Sequence, residues 1–71
     1  MWSTGTFQGY SYEVKHYAEP STLYGYKASR MSKIEIRKDN RVMFRYDRGL
    51  DIPAQDQGTE EVLEFLMEKF G

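Results

Sequence analysis

Apolar and polar positions alternate with a period of two through much of the chain. Tyr10, Tyr12, Val14 and His16 alternate with Ser11, Glu13, Lys15 and Tyr17, which is the pattern of a half-buried strand. Ile34 and Ile36 alternate with Lys33, Glu35 and Arg37, and Val42, Phe44 and Tyr46 alternate with Met43, Arg45 and Asp47. Both runs favour β-structure through their β-branched and aromatic residues. Ahead of the first strand, Gln8-Gly9 supplies a turn, because glycine tolerates positive φ. Tight pairing across it sets Phe7 opposite Tyr10 on one face, with Trp2 near this hairpin.

The period changes after residue 58. Gly49, Pro53 and Gly58 interrupt regular structure. Thr59 can then cap a helix, with Glu60 and Glu61 suiting its positive N-terminus. Val62, Leu63, Leu66, Met67 and Phe70 recur at helical spacing as one apolar stripe, and Gly71 ends it. Residues 18–29, "AEPSTLYGYKAS", show no period and are long for a link between antiparallel strands. Long ordered loops often carry function, although a further strand segment or a bulge also fits this stretch. The expected architecture is α+β, in the order β-β-β-β-α. It is a four-stranded antiparallel sheet of two hairpins with one C-terminal helix on one face, a single domain over residues 1–71.

The second hairpin, "SKIEIRKDNRVMFRYDRG", poses a register problem, because facing residues share a side of the sheet. A two-residue Asp39-Asn40 turn fails, because it sets Ile34 against Arg45 and Ile36 against Met43 and so mixes the faces. A three-residue Lys38-Asp39-Asn40 loop pairs Ile36 with Val42 and Ile34 with Phe44. It leaves Arg37 facing Arg41 and Lys33 facing Arg45, a repulsive arrangement suited to an anionic partner. Sliding the strands by two residues instead pairs Ile36 with Phe44 and Ile34 with Tyr46, and the outer charges neutralise. Turn chemistry argues for the three-residue loop, since it puts Asn at the left-handed position. Charge pairing argues for the slide. The three-residue loop is the expectation taken.

Charge sharpens that choice. The net charge is −1, yet residues 27–48 hold eight basic against three acidic residues, a net of +5. Residues 51–71 hold one basic against six acidic residues, a net of −5. The two halves could simply neutralise each other on folding. Glu60, Glu64 and Glu68 stand four apart with no Lys or Arg four residues further on, so the usual helix ion pairs are missing. They read first as a solvated face, and otherwise as a stripe for a basic partner.

Little in the chain speaks for catalysis. There is no Cys, and His16 is the single His, so no disulfide or zinc site is expected. Ser11, Ser21, Ser29 and Ser32 fall in no nucleophile motif, and "YGYKAS" lacks the spacing of a phosphate loop. His16 reads as a partly buried, satisfied side chain. No stretch is long and apolar enough to span a bilayer, and the N-terminus lacks the basic start and apolar run of a signal peptide. A cytoplasmic setting, no cofactor, no metal and no enzyme activity are the expectations.

The stretches "GTFQGYSYEVKHYAEPS", "YGYKASRMSKIEIR" and "RYDRGLDIP" together resemble a family of small domains of unknown function. That family belongs to Gram-positive bacteria, their phages and other mobile elements. Trp2, Gly9, Tyr10, Ser32, Lys33, Ile36, Arg37, Tyr46, Asp47, Arg48 and Gly49 carry the resemblance across nearly the whole chain. The chain departs from the pattern at "KAS", where a glycine pair is usual, and at Leu50, where an aromatic is common. The resemblance implies no catalytic residue. It implies a setting in which small accessory proteins bind and block host proteins, CRISPR-type defence nucleases (as anti-CRISPR inhibitors) among them.

The functional expectation is therefore a non-catalytic protein-binding module. Its candidate residues are Lys33, Arg37, Arg41, Arg45 and Arg48 with Tyr24 and Tyr26, facing an acidic partner surface. Two rivals stand beside it. Tyrosines next to Arg suit single-stranded nucleic acid, against a sequence pI of 5.7 that is low for such a binder. An exposed sheet edge pairing with a second copy would give a homodimer.

Overall fold

The computed structural model describes residues 1–71. Five strands run in chain order: β1 (Trp2–Phe7), β2 (Tyr10–His16), β3 (Met31–Lys38), β4 (Arg41–Asp47) and β5 (Leu50–Ile52). They form one antiparallel sheet in the order β1-β2-β3-β4-β5, and the helix α1 (Gln57–Phe70) follows. The α+β class, the antiparallel sheet and the C-terminal helix are as expected. The number of strands is not: the sheet has five, not four. β5 lies between Gly49 and Pro53, where the sequence predicts interrupted structure, because three residues are too few to show a period. Arg48 at φ 57° turns the chain tightly enough for Leu50 to pair with Tyr46.

One face of the sheet makes the core. Tyr10, Tyr12, Val14, Ile34, Ile36 and Phe44 are buried against Val62, Leu63, Leu66 and Phe70 of α1. Phe65, outside the expected stripe, is also used: its ring stacks on Phe7 at 4.2 Å between centroids. Phe7 faces Tyr10 across the Gln8-Gly9 turn as expected. Tyr12 faces Gly5, where an added Cβ would lie 2.5 Å from the tyrosine hydroxyl, so the ring lies over the glycine.

The helix starts earlier than Thr59. Asp56 is its N-cap and accepts the backbone N–H of Thr59 at 2.8 Å, while Thr59 itself is fully buried. Gly58, expected to interrupt regular structure, lies inside the first turn of the helix. A Cβ there would approach the Tyr10 hydroxyl to 2.2 Å, and that hydroxyl donates to Asp56 at 3.0 Å. A small residue is needed where the strand's tyrosine reaches the helix cap. At the other end, Arg30 donates through Nε to the Phe70 and Gly71 carbonyls and through Nη2 to Lys69. A cation on the exposed carbonyls is the favourable charge for a helix C-terminus.

The second hairpin corrects the expected register. Ile36 faces Phe44, Ile34 faces Tyr46, Lys33 faces Asp47 and Glu35 faces Arg45. These are the pairs of the neutralising arrangement. The turn is nevertheless the two-residue Asp39-Asn40 turn, both residues at positive φ (52° and 64°), with Lys38 facing Arg41 and Arg37 facing Val42. A β-bulge between these pairs and Ile36–Phe44 absorbs Met43. One extra residue on one strand restores the sidedness that a regular ladder would have lost.

Candidate functional site

The corrected register divides the seven candidate residues among separate places. Lys33, Arg37 and Arg45 lie on the sheet face away from the helix, and each is paired. Lys33 meets Asp47 at 3.6 Å, Arg37 meets Glu35 at 2.7 Å, and Arg45 reaches Glu35 at 3.9 Å and Asp51 at 3.7 Å. The expected clashes between Lys33 and Arg45 and between Arg37 and Arg41 do not occur. Like charges do face each other elsewhere, as Lys15–Lys33 and Glu13–Glu35, but Lys33 and Glu35 each have an opposite charge on their other side. Exposed pairs of this kind contribute about 0–1 kcal/mol each. Their main effect is to remove the uncompensated positive charge that motivated a basic binding face.

Arg41 stays at the hairpin tip without an ion pair, opposite Lys38, whose ammonium sits 4.6 Å from the Tyr10 ring centroid. Tyr26 lies on the helix side, edge-on to Phe44 and Tyr46 at 5.6 and 5.3 Å. Tyr24 and Arg48 belong to a fourth place, the end of the sheet where β2 leaves and β3 enters.

Residues 18–30 form no strand. The stretch is a closed loop: the Ser21 N–H donates to the Ser29 carbonyl at 3.1 Å and the Gly25 N–H to the Ser21 carbonyl at 3.0 Å. Gly25 is buried, and a Cβ there would lie 2.0 Å from the Ser29 carbonyl oxygen. A short 3₁₀ turn at Tyr26–Ala28 holds Lys27 and Ala28 at positive φ (49° and 58°). Two consecutive non-glycine residues in that region cost free energy that the surrounding contacts must offset.

Beside this loop runs a cleft of about 400 Å³ lined by Tyr26, Lys27, Glu60, Leu63, Glu64, Met67 and Glu68. Its floor is apolar and one wall is the glutamate stripe of α1. Glu60, Glu64 and Glu68 are exposed and none makes an ion pair. The spacing of the glutamates was visible in the sequence. The cleft was not, because Tyr26 reaches the helix from a loop without a period.

His16 has a serine neighbour that its position in the chain does not suggest. Ser3 Oγ and His16 Nε2 are 2.8 Å apart across β1 and β2, and the imidazole lies tilted against the Phe70 ring at 4.6 Å between centroids. Burial lowers the His16 pKa below its ordinary 6.5, with the N-terminal ammonium and Arg30 adding to the effect. A neutral imidazole beside a hydroxyl is the start of a nucleophile–base pair. The charged groups around it are cations, where an orienting carboxylate would be needed.

Asp56 is held below its ordinary 3.8. The Thr59 hydroxyl beside it contributes most, although it is outside hydrogen-bonding geometry, followed by the Thr59 backbone N–H and then Tyr10 and Lys38. Tyr10 is raised above 10.0, by burial first and then by Asp56. Both shifts belong to the helix cap.

All of residues 1–71 match a family described as a domain of unknown function, DUF7678. The chain belongs to that family. The expected resemblance to an uncharacterised small domain is thereby met, and the family description names no activity or partner. No curated protein and no solved structure matches the chain. No helix is long and apolar enough to cross a membrane.

Proposed function

We propose that the protein is a non-catalytic protein-binding module whose docking surface is the cleft between α1 and the Tyr26–Ala28 turn. One observation carries this reading: three exposed glutamates without ion pairs flank an apolar floor of Tyr26, Leu63 and Met67. A partner segment presenting Lys or Arg beside apolar side chains fits both features. Charge complementarity would steer its approach, and the floor would supply affinity. The polarity is opposite to the acidic partner expected from the basic hairpin, because Lys33, Arg37 and Arg45 are paired within the sheet. Binding without catalysis is favoured by the surroundings of His16, whose charged neighbours are the N-terminal ammonium and Arg30.

The narrower reading, a phage or mobile-element protein that blocks a host defence nuclease, rests on the family resemblance alone. Nucleic acid is disfavoured at this cleft, since its glutamates would repel phosphates.

A pull-down of tagged protein from nuclease-treated bacterial lysate tests the proposal with two variants. One carries Glu60→Lys, Glu64→Lys and Glu68→Lys; the other carries Arg37→Gln, Arg41→Gln and Arg45→Gln. The expected outcome is a stoichiometric protein partner lost with the helix variant and kept with the hairpin variant, with both variants folded by circular dichroism. A partner lost with the hairpin variant and kept with the helix variant overturns the cleft and restores the basic face.

A further inference from the structure

A second pocket, of about 290 Å³, lies at the end of the sheet, away from the helix glutamates. Tyr17, Ser21, Tyr24, Arg30, Ser32 and Arg48 line it, and no Asp or Glu does. Arg48 makes no ion pair with any carboxylate. Arg30 spends its Nε–H and one Nη2–H on the end of α1, which leaves three of its five N–H donors without a protein partner. Ser32 is 6% exposed, and its hydroxyl is buried with no hydrogen-bond partner. Buried hydroxyls are ordinarily paired, because an unpaired one keeps its full desolvation cost. The Thr59 hydroxyl at the helix cap is also unpartnered, but Ser32 is the one that lines a cationic pocket.

The surroundings of Tyr17 agree. Its pKa is lowered from the ordinary 10.0, first by the nearby Lys15 ammonium, then by the Ser32 hydroxyl, which lies beside it but outside hydrogen-bonding geometry, with Arg48 adding to the effect. Of these groups, Ser32 and Arg48 line the pocket and would stabilise a negative charge entering it. The Tyr17 and Tyr24 side chains, about half exposed at 49% and 53%, provide apolar walls. The closed loop of residues 21–29 holds one side in place through Ser21–Ser29 and through the Tyr24 N–H, which donates to Ser21 Oγ at 3.0 Å.

We propose that this pocket binds a phosphate monoester carried on an aromatic or apolar body. Arg48 and the free edge of Arg30 meet the charge, the Ser32 and Tyr17 hydroxyls donate to its oxygens, and the tyrosine rings flank the body. Donors from several elements suit a tetrahedral group with three oxygens better than a planar carboxylate with two. The site shares no lining residue with the helix cleft, so it stands or falls separately from the docking proposal.

The test is a titration of the full chain, followed by amide chemical shifts, with inorganic phosphate, phenyl phosphate and benzoate. Expected are saturable shifts confined to residues 17, 21–25, 30–32 and 48, with phenyl phosphate binding at least about tenfold tighter than either of the others. Arg48→Gln should weaken phenyl phosphate roughly tenfold, as the loss of a charge-assisted contact does. Ser32→Ala should weaken it severalfold while leaving the melting temperature equal or higher, since an unpartnered hydroxyl is removed. Benzoate binding as tightly as phenyl phosphate overturns the phosphate assignment. Shifts that do not saturate, or that spread over all the cations, overturn the site. A Ser32→Ala variant that melts lower and binds phenyl phosphate unchanged shows that the hydroxyl serves only a Tyr17–Ser32 contact, and also overturns the proposal.

Discussion

The two hairpins use the same kind of turn and reach their registers differently. Gln8-Gly9 and Asp39-Asn40 both place two residues at positive φ between antiparallel strands, the geometry that suits the twist of a tight hairpin. In the first hairpin the ladder runs without a break from Phe7–Tyr10 to Trp2–Lys15. In the second, continuing the ladder would have put Arg45 into the core beside Ile34, and a bulge at Met43 prevents it. Turn chemistry sets where a hairpin starts, whereas core burial sets where its side chains end up. When the two disagree by one residue, the backbone absorbs the difference.

Position in the sheet separates the hairpins further. β1 is an edge strand with no buried residue, while the β3–β4 pair supplies Ile34, Ile36 and Phe44, each 2% exposed or less. Ile36→Ala should therefore have the largest effect, about 2–5 kcal/mol, enough to unfold much of so small a domain. Phe7→Ala, which removes the half-buried ring stacked on Phe65, should cost roughly half as much. Urea denaturation of the two variants checks this, and equal losses would mean that the edge hairpin contributes as much as the central one.

Deleting Met43 comes next. It removes the bulge while leaving Ile36 opposite Phe44 and Ile34 opposite Tyr46, because the side chains of a regular ladder then alternate correctly. The expected cost is about 1–2 kcal/mol, from the packing of one half-buried methionine. Cross-strand contacts by NMR should be unchanged, and a register slip would show that the bulge itself sets the pairing.

The smallest effect concerns a tie that only the first hairpin has, from Tyr10 to the helix cap. The folded-state pKa of Asp56 lies below its ordinary 3.8. Its contribution to stability is thus fully present above 3.8 and is lost as pH falls from there through the folded-state value. Tyr10→Phe, which deletes a donor to that carboxylate, should flatten the loss between pH 4 and 2 in urea midpoints measured at each pH. A variant with the wild-type slope would leave the effect to Thr59 and Lys38.

Much of the fold was legible in the residues. Period-two alternation marked β2, β3 and β4, and the Val62–Phe70 stripe marked the helix, because burial on one face leaves a repeat that does not depend on distant contacts. β5 and the loop at residues 18–30 left no such repeat. The first is too short, and the second is held by backbone hydrogen bonds, by Gly25 and by the edges of Tyr26. The candidate sites divide in the same way. The glutamate spacing and the basic composition of the hairpin could be counted, but which charges remain unpaired could not.

By itself, the sequence determined most of the inward-facing residues, that strands precede a helix, and where the charges lie along the chain; it set Val42 inward and Met43 outward, whereas Met43 packs on the core and Val42 faces Arg37. Tertiary structure alone decided the bulge, and with it the pairing of Lys33 with Asp47 and of Arg45 with Glu35 across the sheet. It alone brought Tyr26 onto the glutamate wall and buried the Ser32 hydroxyl beside Arg48 without a partner. The reason is physical: inward-facing patterns are local and repeat, whereas the neighbour that neutralises a charge or satisfies a hydroxyl lies on another strand or loop, at a distance along the chain that no period records.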